Sequence, residues 1–348
     1  MENLINYLVD LVKIPSVIGN EKEIADYVEN FLKKFEGNIV RYNNSIIFFK
    51  DLDKSKKTIT LLGHLDTVPG INDFTGQIID GKIYGLGASD MKSGLAVMMS
   101  LIENLKNTKY NLIYVFYEKE EGPYVENGLE PLLQNYDIIQ KSDLAIALEP
   151  TNNKIQVGCL GTMHAWVIFE GKRAHSARPW EGENAIHKSY KFLERLANFG
   201  YRKVEFYGLS YYEVMNATMV NYSGGRNIIP DKFEINVNYR FAPGKSIEQA
   251  KKELLDIVNN EAKVEFTDIS PSGKVPLDNQ ILKDFISKYN LPIEAKQAWT
   301  DVGRLSQYNI DAINFGPGDT AQAHQKNEYV SIDSVKRNYE ILSNFLSD

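Results

Sequence analysis

The chain has 348 residues, of which 43% are hydrophobic and 24% are charged, and its formal net charge at pH 7 is -7. This length predicts about two domains, and the composition is typical of a globular enzyme. The negative charge argues against general binding of nucleic acid or of an anionic membrane surface, and no apolar run approaches the ~20 residues of a membrane helix. No cationic leader is evident either, so we expect a cytoplasmic protein.

The cysteine content argues against disulfide bonds, cysteine-bound metal and a cysteine nucleophile. Cys159 is the single cysteine, so the chain can form neither an intrachain disulfide nor a cysteine metal cluster. Its neighbours Gly158 and Leu160 suggest a strand interior, which disfavours a nucleophilic role. Any metal must therefore be bound by the five histidines and the carboxylates.

Helices and strands alternate at the start of the chain. Helical periodicity covers residues 2–35, with a break at residues 14–16, and strands are predicted at Asn38–Tyr42, Ser45–Lys50 and Thr58–Leu62. This alternation indicates an α/β sheet.

His64 and Asp66 follow the third of these strands. Residues two apart in a strand face the same side, and open α/β sheets bind ligands at the carboxyl ends of their strands. A carboxylate at this spacing can hold the second ring nitrogen of a metal-bound imidazole. The alternative is an ordinary strand-end histidine, with an aspartate that caps the next turn.

Asp90 ends the glycine-rich segment GLGASD, and a helix is predicted from about Lys92. The segment is a poor match to a dinucleotide-binding loop, because the third glycine and the later acidic residue are missing. Asp90 could also be a simple helix N-cap.

Two further apolar strands end in carboxylates. Asn111–Tyr117 is followed by Glu120 and Glu121, and Leu144–Leu148 is followed by Glu149. Adjacent buried carboxylates are costly unless a cation compensates them, although a solvated charge run is the alternative. The strand ends thus predict one cluster of functional side chains: His64, Asp90, Glu120 with Glu121, and Glu149.

The middle of the chain has a different pattern, which predicts an inserted α+β domain that resembles a ferredoxin-like unit. We expect a catalytic domain formed by residues 1–161 and 271–348, and the insert at residues 162–270. His324 follows the predicted strand Ile310–Phe315 and a glycine-rich turn, and it can return to the same sheet edge. The predicted elements of the insert are strands at Thr162–Gly171, Lys203–Tyr207, Ala217–Tyr222, Lys232–Phe241 and Lys263–Asp268, and helices at Asn184–Leu196 and Ser246–Asn260.

Seven motifs occur in the order GHLDTVP, GLGASDMKSG, EEG, LEPT, AHSARP, RNIIP and GPGDTAQAHQKNEYV. Together they resemble, over nearly the whole chain, the di-zinc amidohydrolases that include acetylornithine deacetylase, succinyl-diaminopimelate desuccinylase and glutamate carboxypeptidase. The resemblance implies an α/β fold: a zinc-peptidase-like catalytic domain, with a mixed sheet flanked by helices, and an inserted ferredoxin-like lid or dimerisation domain.

The resemblance also implies two divalent metal ions per subunit, Zn²⁺ or Co²⁺. Asp90 would bridge them, with His64 and Glu149 on one ion and Glu121 and His324 on the other. Each ion would keep open positions, as catalytic zinc requires.

The remaining roles implied by the resemblance concern catalysis and substrate binding. Glu120 would be the general base, and Asp66 would orient His64. His175 would reach the active site of a second subunit to stabilise the oxyanion, which implies a homodimer. The predicted contacts with a substrate carboxylate are Arg226, Asn227, Arg240 and Arg304.

Within this family, the chain resembles most the LysW-lysine and LysW-ornithine hydrolases, also described as acetyl-lysine deacetylases. The expected function is therefore a metal-dependent amidohydrolase of lysine or arginine biosynthesis, which releases lysine or ornithine from an amino-group carrier protein or from an N-acyl derivative. The alternatives are a deacylase of the acetylornithine or succinyl-diaminopimelate type, and a dipeptidase or carboxypeptidase of the same fold. A catalytically silent scaffold is disfavoured by Glu120, because a structural metal site needs no adjacent base.

Overall fold

The computed structural model describes residues 2–71 and 73–347, and its contacts divide the chain into two compact units. The first unit comprises Met1–Gly158, Lys274–Glu294 and Arg304–Asp348, and the second comprises Cys159–Gly273 and Ala295–Gly303. The domain limits given above stay predictions. The short segment Ala295–Gly303 belongs to the second unit, which the sequence pattern does not indicate.

The secondary structure follows the expected alternation. The first part of the chain forms α1 (Glu2–Lys13), α2 (Lys22–Leu32), β1 (Asn38–Tyr42), β2 (Ser45–Phe49), β3 (Thr58–His64), β4 (Gln77–Ile79), β5 (Lys82–Tyr84), α3 (Ser93–Asn104), β6 (Asn111–Tyr117), α4 (Leu129–Asn135), α5 (Asp137–Gln140), β7 (Leu144–Ala147) and β8 (Ile155–Val157). The middle part forms β9 (Gly161–Glu170), β10 (Ala174–His175), α6 (Ala185–Lys188), α7 (Tyr190–Phe199), β11 (Tyr201–Phe206), β12 (Leu209–Tyr222), β13 (Ile228–Ile229), β14 (Lys232–Phe241), α8 (Ile247–Val258) and β15 (Lys263–Ser270). The last part forms α9 (Gln280–Tyr289), β16 (Ile293–Ala295), α10 (Val302–Gln307), β17 (Ala312–Asn314), β18 (Tyr329–Ser331) and α11 (Ile332–Leu346).

The first unit contains an eight-stranded mixed sheet in the order β1-β2-β6-β3-β7-β17-β8-β16. Its central strands β6, β3, β7 and β17 are parallel neighbours, whereas β1, β2 and β8 add antiparallel pairs. β3 is buried along its whole length and β6 along nearly all of it, as continuous apolar runs predict for strands covered on both faces. Helix α3, which packs against α1 and α11, is likewise buried from Ser93 to Ile102. The expected α/β fold, a mixed sheet flanked by helices, is confirmed.

The second unit is built on an antiparallel sheet in the order β11-β12-β14-β9-β15. Alternate side chains of β9 and β14, such as Phe169 and Val237, enter one hydrophobic cluster. Helices α7 and α8 contribute Phe192 and Leu254 to the same cluster. The role of this unit as a lid or dimerisation domain stays a prediction.

Two elements of this unit differ from their predicted form. The helix expected at Asn184–Leu196 is split into α6 and α7, and the Ser189 hydroxyl between them donates a hydrogen bond to the Ile186 carbonyl oxygen. Strand β12 begins eight residues before the predicted Ala217. Its pairing with β14 shifts register between Ala217 and Met219, and such a bulge interrupts the alternation on which the prediction depends.

Among the described residues, none of the helices combines the length and the apolar character that a membrane crossing requires.

Candidate metal centre and active site

The parallel strands of the first unit bring the predicted cluster to one edge of the sheet. His64 is the last residue of β3 and lies opposite Tyr117, the last residue of β6. Glu120 and Glu121 lie three and four residues after the end of β6, and Glu149 lies two residues after β7, which pairs with β3 in parallel. The carboxyl ends of these strands therefore place the side chains together, as expected for an open α/β sheet.

Ligand atoms of His64, Asp90 and Glu121 all lie within 4.8 Å of one another, a spacing that could hold a metal ion. The two oxygens of Asp90 face two histidines. Oδ1 of Asp90 is 3.3 Å from Nε2 of His64, and Oδ2 is 3.6 Å from Nε2 of His324. Each histidine has a second carboxylate nearby, because Oε1 of Glu149 is 4.0 Å from His64 Nε2 and Oε1 of Glu121 is 2.9 Å from His324 Nε2. The five predicted metal ligands thus form two groups that share Asp90.

The pKa values in this cluster reflect burial and crowding of negative charge. Burial lowers the pKa of His64, but hydrogen bonds to Asp66 and Asp90 outweigh it and hold the pKa well above its usual value. The hydrogen bond to Glu121 raises the pKa of His324 to about 9. Burial, with repulsion from Asp90, raises the pKa of Glu121. A divalent cation at this position would relieve the repulsion among these carboxylates.

Asp66 connects β3 to the segment after β6. Its side chain is fully buried, and its two oxygens accept hydrogen bonds from the backbone amides of Glu120 at 3.0 Å and Glu121 at 2.9 Å. The ring nitrogen Nδ1 of His64 lies 3.0 Å from the backbone oxygen of Asp66 and 3.5 Å from its carboxylate. The backbone carbonyl group of Asp66 therefore orients His64 at least as much as its side chain does. The Asp66 carboxylate mainly positions Glu120 and Glu121.

The Asp90 loop has two buried charged neighbours to which the sequence reasoning gave no role. The carboxylate of Glu328 accepts hydrogen bonds from amides of this loop, and burial raises its pKa to about 7. Burial lowers the pKa of Lys92 to about 7, and the Lys92 ammonium donates to the Ile14 carbonyl oxygen at 2.8 Å. The signal for Glu328 was present, because it lies in the GPGDTAQAHQKNEYV motif.

Four predicted residues lie in the second unit. His175 is exposed in the short pairing of β10 with β13, and the amide of Ser176 donates to the Asn227 carbonyl oxygen at 3.0 Å, so His175, Arg226 and Asn227 are neighbours. Arg240 lies apart from them on β14, where burial lowers its pKa and its Nε donates to Oδ1 of Asn238 at 3.1 Å. Their contacts with a substrate stay predictions.

Arg304 belongs to the first unit and is fully buried. Its guanidinium forms an ion pair with Glu130, donates to the Tyr124 carbonyl oxygen at 2.6 Å and lies 3.8 Å from the centre of the Tyr124 ring. These contacts give Arg304 a role in joining α10 to the segment around α4. Binding of a substrate carboxylate by Arg304 stays a prediction, and the partners that Arg304 has in this structure do not favour it.

Cys159 is buried in the second unit, where burial raises the pKa of its thiol to about 11. Because the thiolate is the reactive form, this environment agrees with the inference that Cys159 is not a nucleophile.

Comparison with known proteins gives the family. The sequence profile of the peptidase family M20/M25/M40 matches residues 60–348. The succinyl-diaminopimelate desuccinylase of Corynebacterium glutamicum is 34% identical over 349 residues, which cover 97% of this chain and 94% of that protein. A protein of Mycobacterium tuberculosis, whose name gives the same activity provisionally, is 36% identical over 341 residues, covering 97% of this chain and 96% of its own length.

The fold is also shared with a crystal structure. A tripeptidase from Staphylococcus aureus superposes with a TM-score of 0.81 at 18% identity, over 99% of this chain and 97% of that one. At this identity the similarity shows the fold alone. The profile match and the relatives above 30% identity lead to the conclusion that the chain belongs to peptidase family M20/M25/M40 and is a hydrolase that acts on amide bonds.

Proposed function

We propose that the protein is a metal-dependent deacylase, which hydrolyses the amide bond of an N-acyl amino acid, with N-succinyl-diaminopimelate as the first substrate to test. The observation that carries this proposal is the position of Asp90 between two histidine and carboxylate pairs. A single carboxylate so placed can bridge two cations.

The donor atoms fit two Zn²⁺ or Co²⁺ ions. One ion would be bound by His64, Glu149 and Asp90, and the other by His324, Glu121 and Asp90. Each set has one imidazole nitrogen and two carboxylates, which both metals accept while keeping positions free for substrate and water. When bound, such a pair of ions acidifies a water molecule and polarises the scissile carbonyl group.

Glu120 is the proposed general base. Its backbone amide is fixed by Oδ1 of Asp66, beside the amide of the proposed ligand Glu121, which is fixed by Oδ2. Its carboxyl group takes a proton from the water as the water oxygen attacks the carbonyl carbon. It then returns that proton to the nitrogen as the C–N bond breaks, so that a free carboxylic acid and a free amine result.

The names of the relatives favour the succinyl-diaminopimelate alternative over the carrier-linked substrate, which the resemblance to the LysW hydrolases implied. The two relatives described above are named for removal of a succinyl group, and they align over nearly the full chain. Release of lysine or ornithine from an amino-group carrier protein is kept as the second substrate class because the resemblance implies it. The two classes differ in the acyl group and share the amide bond that is cleaved.

We also propose a homodimer formed through the second unit. β11 pairs with β12 only as far as Val214, and the rest of β12 lies at the edge of the sheet. This edge exposes Met219 (57%), Val220 (57%) and Tyr222 (65%), and an exposed apolar edge strand is a template for pairing with another chain. Sedimentation analysis should show a dimer, and a monomer with full activity at all concentrations would contradict it.

Metal analysis combined with turnover tests the function. Purified protein should contain divalent metal and hydrolyse N-succinyl-diaminopimelate. Chelation should abolish turnover, and added Zn²⁺ or Co²⁺ should restore it. Parallel assays with N-acetyl-lysine, carrier-linked lysine and free dipeptides rank the alternatives by kcat/KM. Full activity after complete removal of metal would overturn the proposal.

A further inference from the structure

The loop that carries Asp90 is held by a carboxylate from the far end of the sequence. Oε1 of Glu328 accepts hydrogen bonds from the amides of Ser89 at 2.7 Å and Asp90 at 2.9 Å, and Oε2 accepts one from Gly87 at 2.9 Å. The backbone oxygen of Glu328 also accepts from the Gly85 amide at 3.0 Å. Glu328 is 1% exposed, so water does not replace these contacts.

The same residue is joined to the segment that supplies His324. Glu328 lies four residues after His324, and the strand that follows it, β18, pairs with β5 directly before the Asp90 loop. The distance of 3.6 Å between His324 Nε2 and Asp90 Oδ2 therefore depends on two segments that Glu328 connects. A shift of the carboxylate would move Asp90 relative to its histidine.

We propose that Glu328 is a positioning residue, which directs the Asp90 carboxylate toward both histidines by holding the amides of Gly87, Ser89 and Asp90. The inference rests on the proposed metal-dependent function. It explains why an acidic side chain is buried beside other acids: three N–H donors converge there, and a carboxylate accepts from all of them without offering a donor of its own.

Two variants alter this contact in different ways. Glu328→Gln keeps the length of the side chain but replaces one oxygen with an NH₂ group, which cannot accept from an amide. Glu328→Asp keeps both oxygens but is shorter by one C–C bond, about 1.5 Å, and cannot reach all three amides. Glu213→Gln is a matched control, because Glu213 is 2% exposed and its Oε1 accepts from the Ala242 amide at 2.9 Å in the second unit.

The test is a titration of metal-free full-length protein with Zn²⁺ in competition with a chromophoric chelator, together with visible spectra of the Co²⁺-loaded protein. Both Glu328 variants should bind Zn²⁺ ~10–100-fold more weakly than wild type, and their Co²⁺ bands should shift. Their kcat should fall while KM stays within about twofold, because the change affects the reacting centre and not uniform substrate binding. Glu213→Gln should keep the wild-type affinity and spectrum.

A folded Glu328 variant with wild-type Zn²⁺ affinity and an unshifted Co²⁺ spectrum would overturn the inference and leave the proposed function intact. The Asp variant decides this if the Gln variant does not fold. Failure of the wild-type protein to bind Zn²⁺ at all would instead overturn the proposed function, and this inference with it.

Discussion

Replacing Asp66 with asparagine tests whether one buried carboxylate organises both the proposed base and a proposed ligand. In the wild-type protein its oxygens accept the amides of Glu120 and Glu121 at 3.0 and 2.9 Å. Asparagine offers one oxygen, so one of these two buried amides would face an NH₂ group and lose its acceptor.

The expected magnitude follows from this geometry. A buried donor that is left without an acceptor costs about 1–3 kcal/mol. The Asp66 charge also repels Glu21 and attracts His64, so its removal has two electrostatic effects of opposite sign. We therefore expect the metal-free Asp66→Asn variant to be less stable by about 1–3 kcal/mol. The binding of metal should weaken by ~10–100-fold, as is usual when a group that orients a ligand is altered.

Denaturant unfolding of metal-free protein and chelator competition with Zn²⁺ measure the two effects separately. Asp143→Asn is the matched control, because Asp143 accepts the Thr58 amide at 2.8 Å at the opposite end of the same strand, β3. The control should lose stability without a change in metal affinity. If Asp66→Asn kept the wild-type stability and metal affinity, the assignment of Asp66 as the organising residue would be refuted.

Three further predictions concern other parts of the chain. Cys159 should not react with iodoacetamide at pH 8 in the native protein, because burial raises its thiol pKa to about 11, and rapid native labelling would contradict this. Arg304→Met should lower the free energy of unfolding by about 1–3 kcal/mol and preserve KM, since the Tyr124 carbonyl oxygen loses its donor and Glu130 loses its cationic partner but keeps the Tyr308 hydroxyl. Unchanged stability with a raised KM would favour substrate binding instead. Mixed dimers of His175→Ala and Glu120→Gln subunits should recover activity, because one site in each mixed dimer should have both groups intact; no recovery would refute a contribution of His175 across the dimer.

The strands and their ends were predictable because they depend on local patterns. β3 and β6 are apolar runs that finish in charged residues, and parallel pairing then fixes which ends meet. The positions of His64, Glu121 and Glu149 at one edge follow from these two facts. The bulge in β12 was not predictable in the same way, because it interrupts the alternation itself.

Local sequence patterns did not predict the contacts between segments that are far apart in the chain. Glu328 binds amides some 240 residues earlier in the chain, and nothing in the local sequence around either segment specifies the other. Arg304 shows the same limit, because the family resemblance implied a substrate contact, while its burial against Glu130 depends on how α10 packs. Local patterns define the elements, whereas the partners of a buried charge are defined by tertiary packing.

The central claim is that Glu120 is the base beside a metal centre formed by its neighbours. The most direct measurement is the metal content and kcat of Glu120→Gln, determined on the same preparation as the wild type. We predict an unchanged metal content and a kcat that is lower by ~10²–10⁴-fold, because glutamine keeps the shape of glutamate but cannot take the proton. Turnover at the wild-type rate with metal bound would contradict the account.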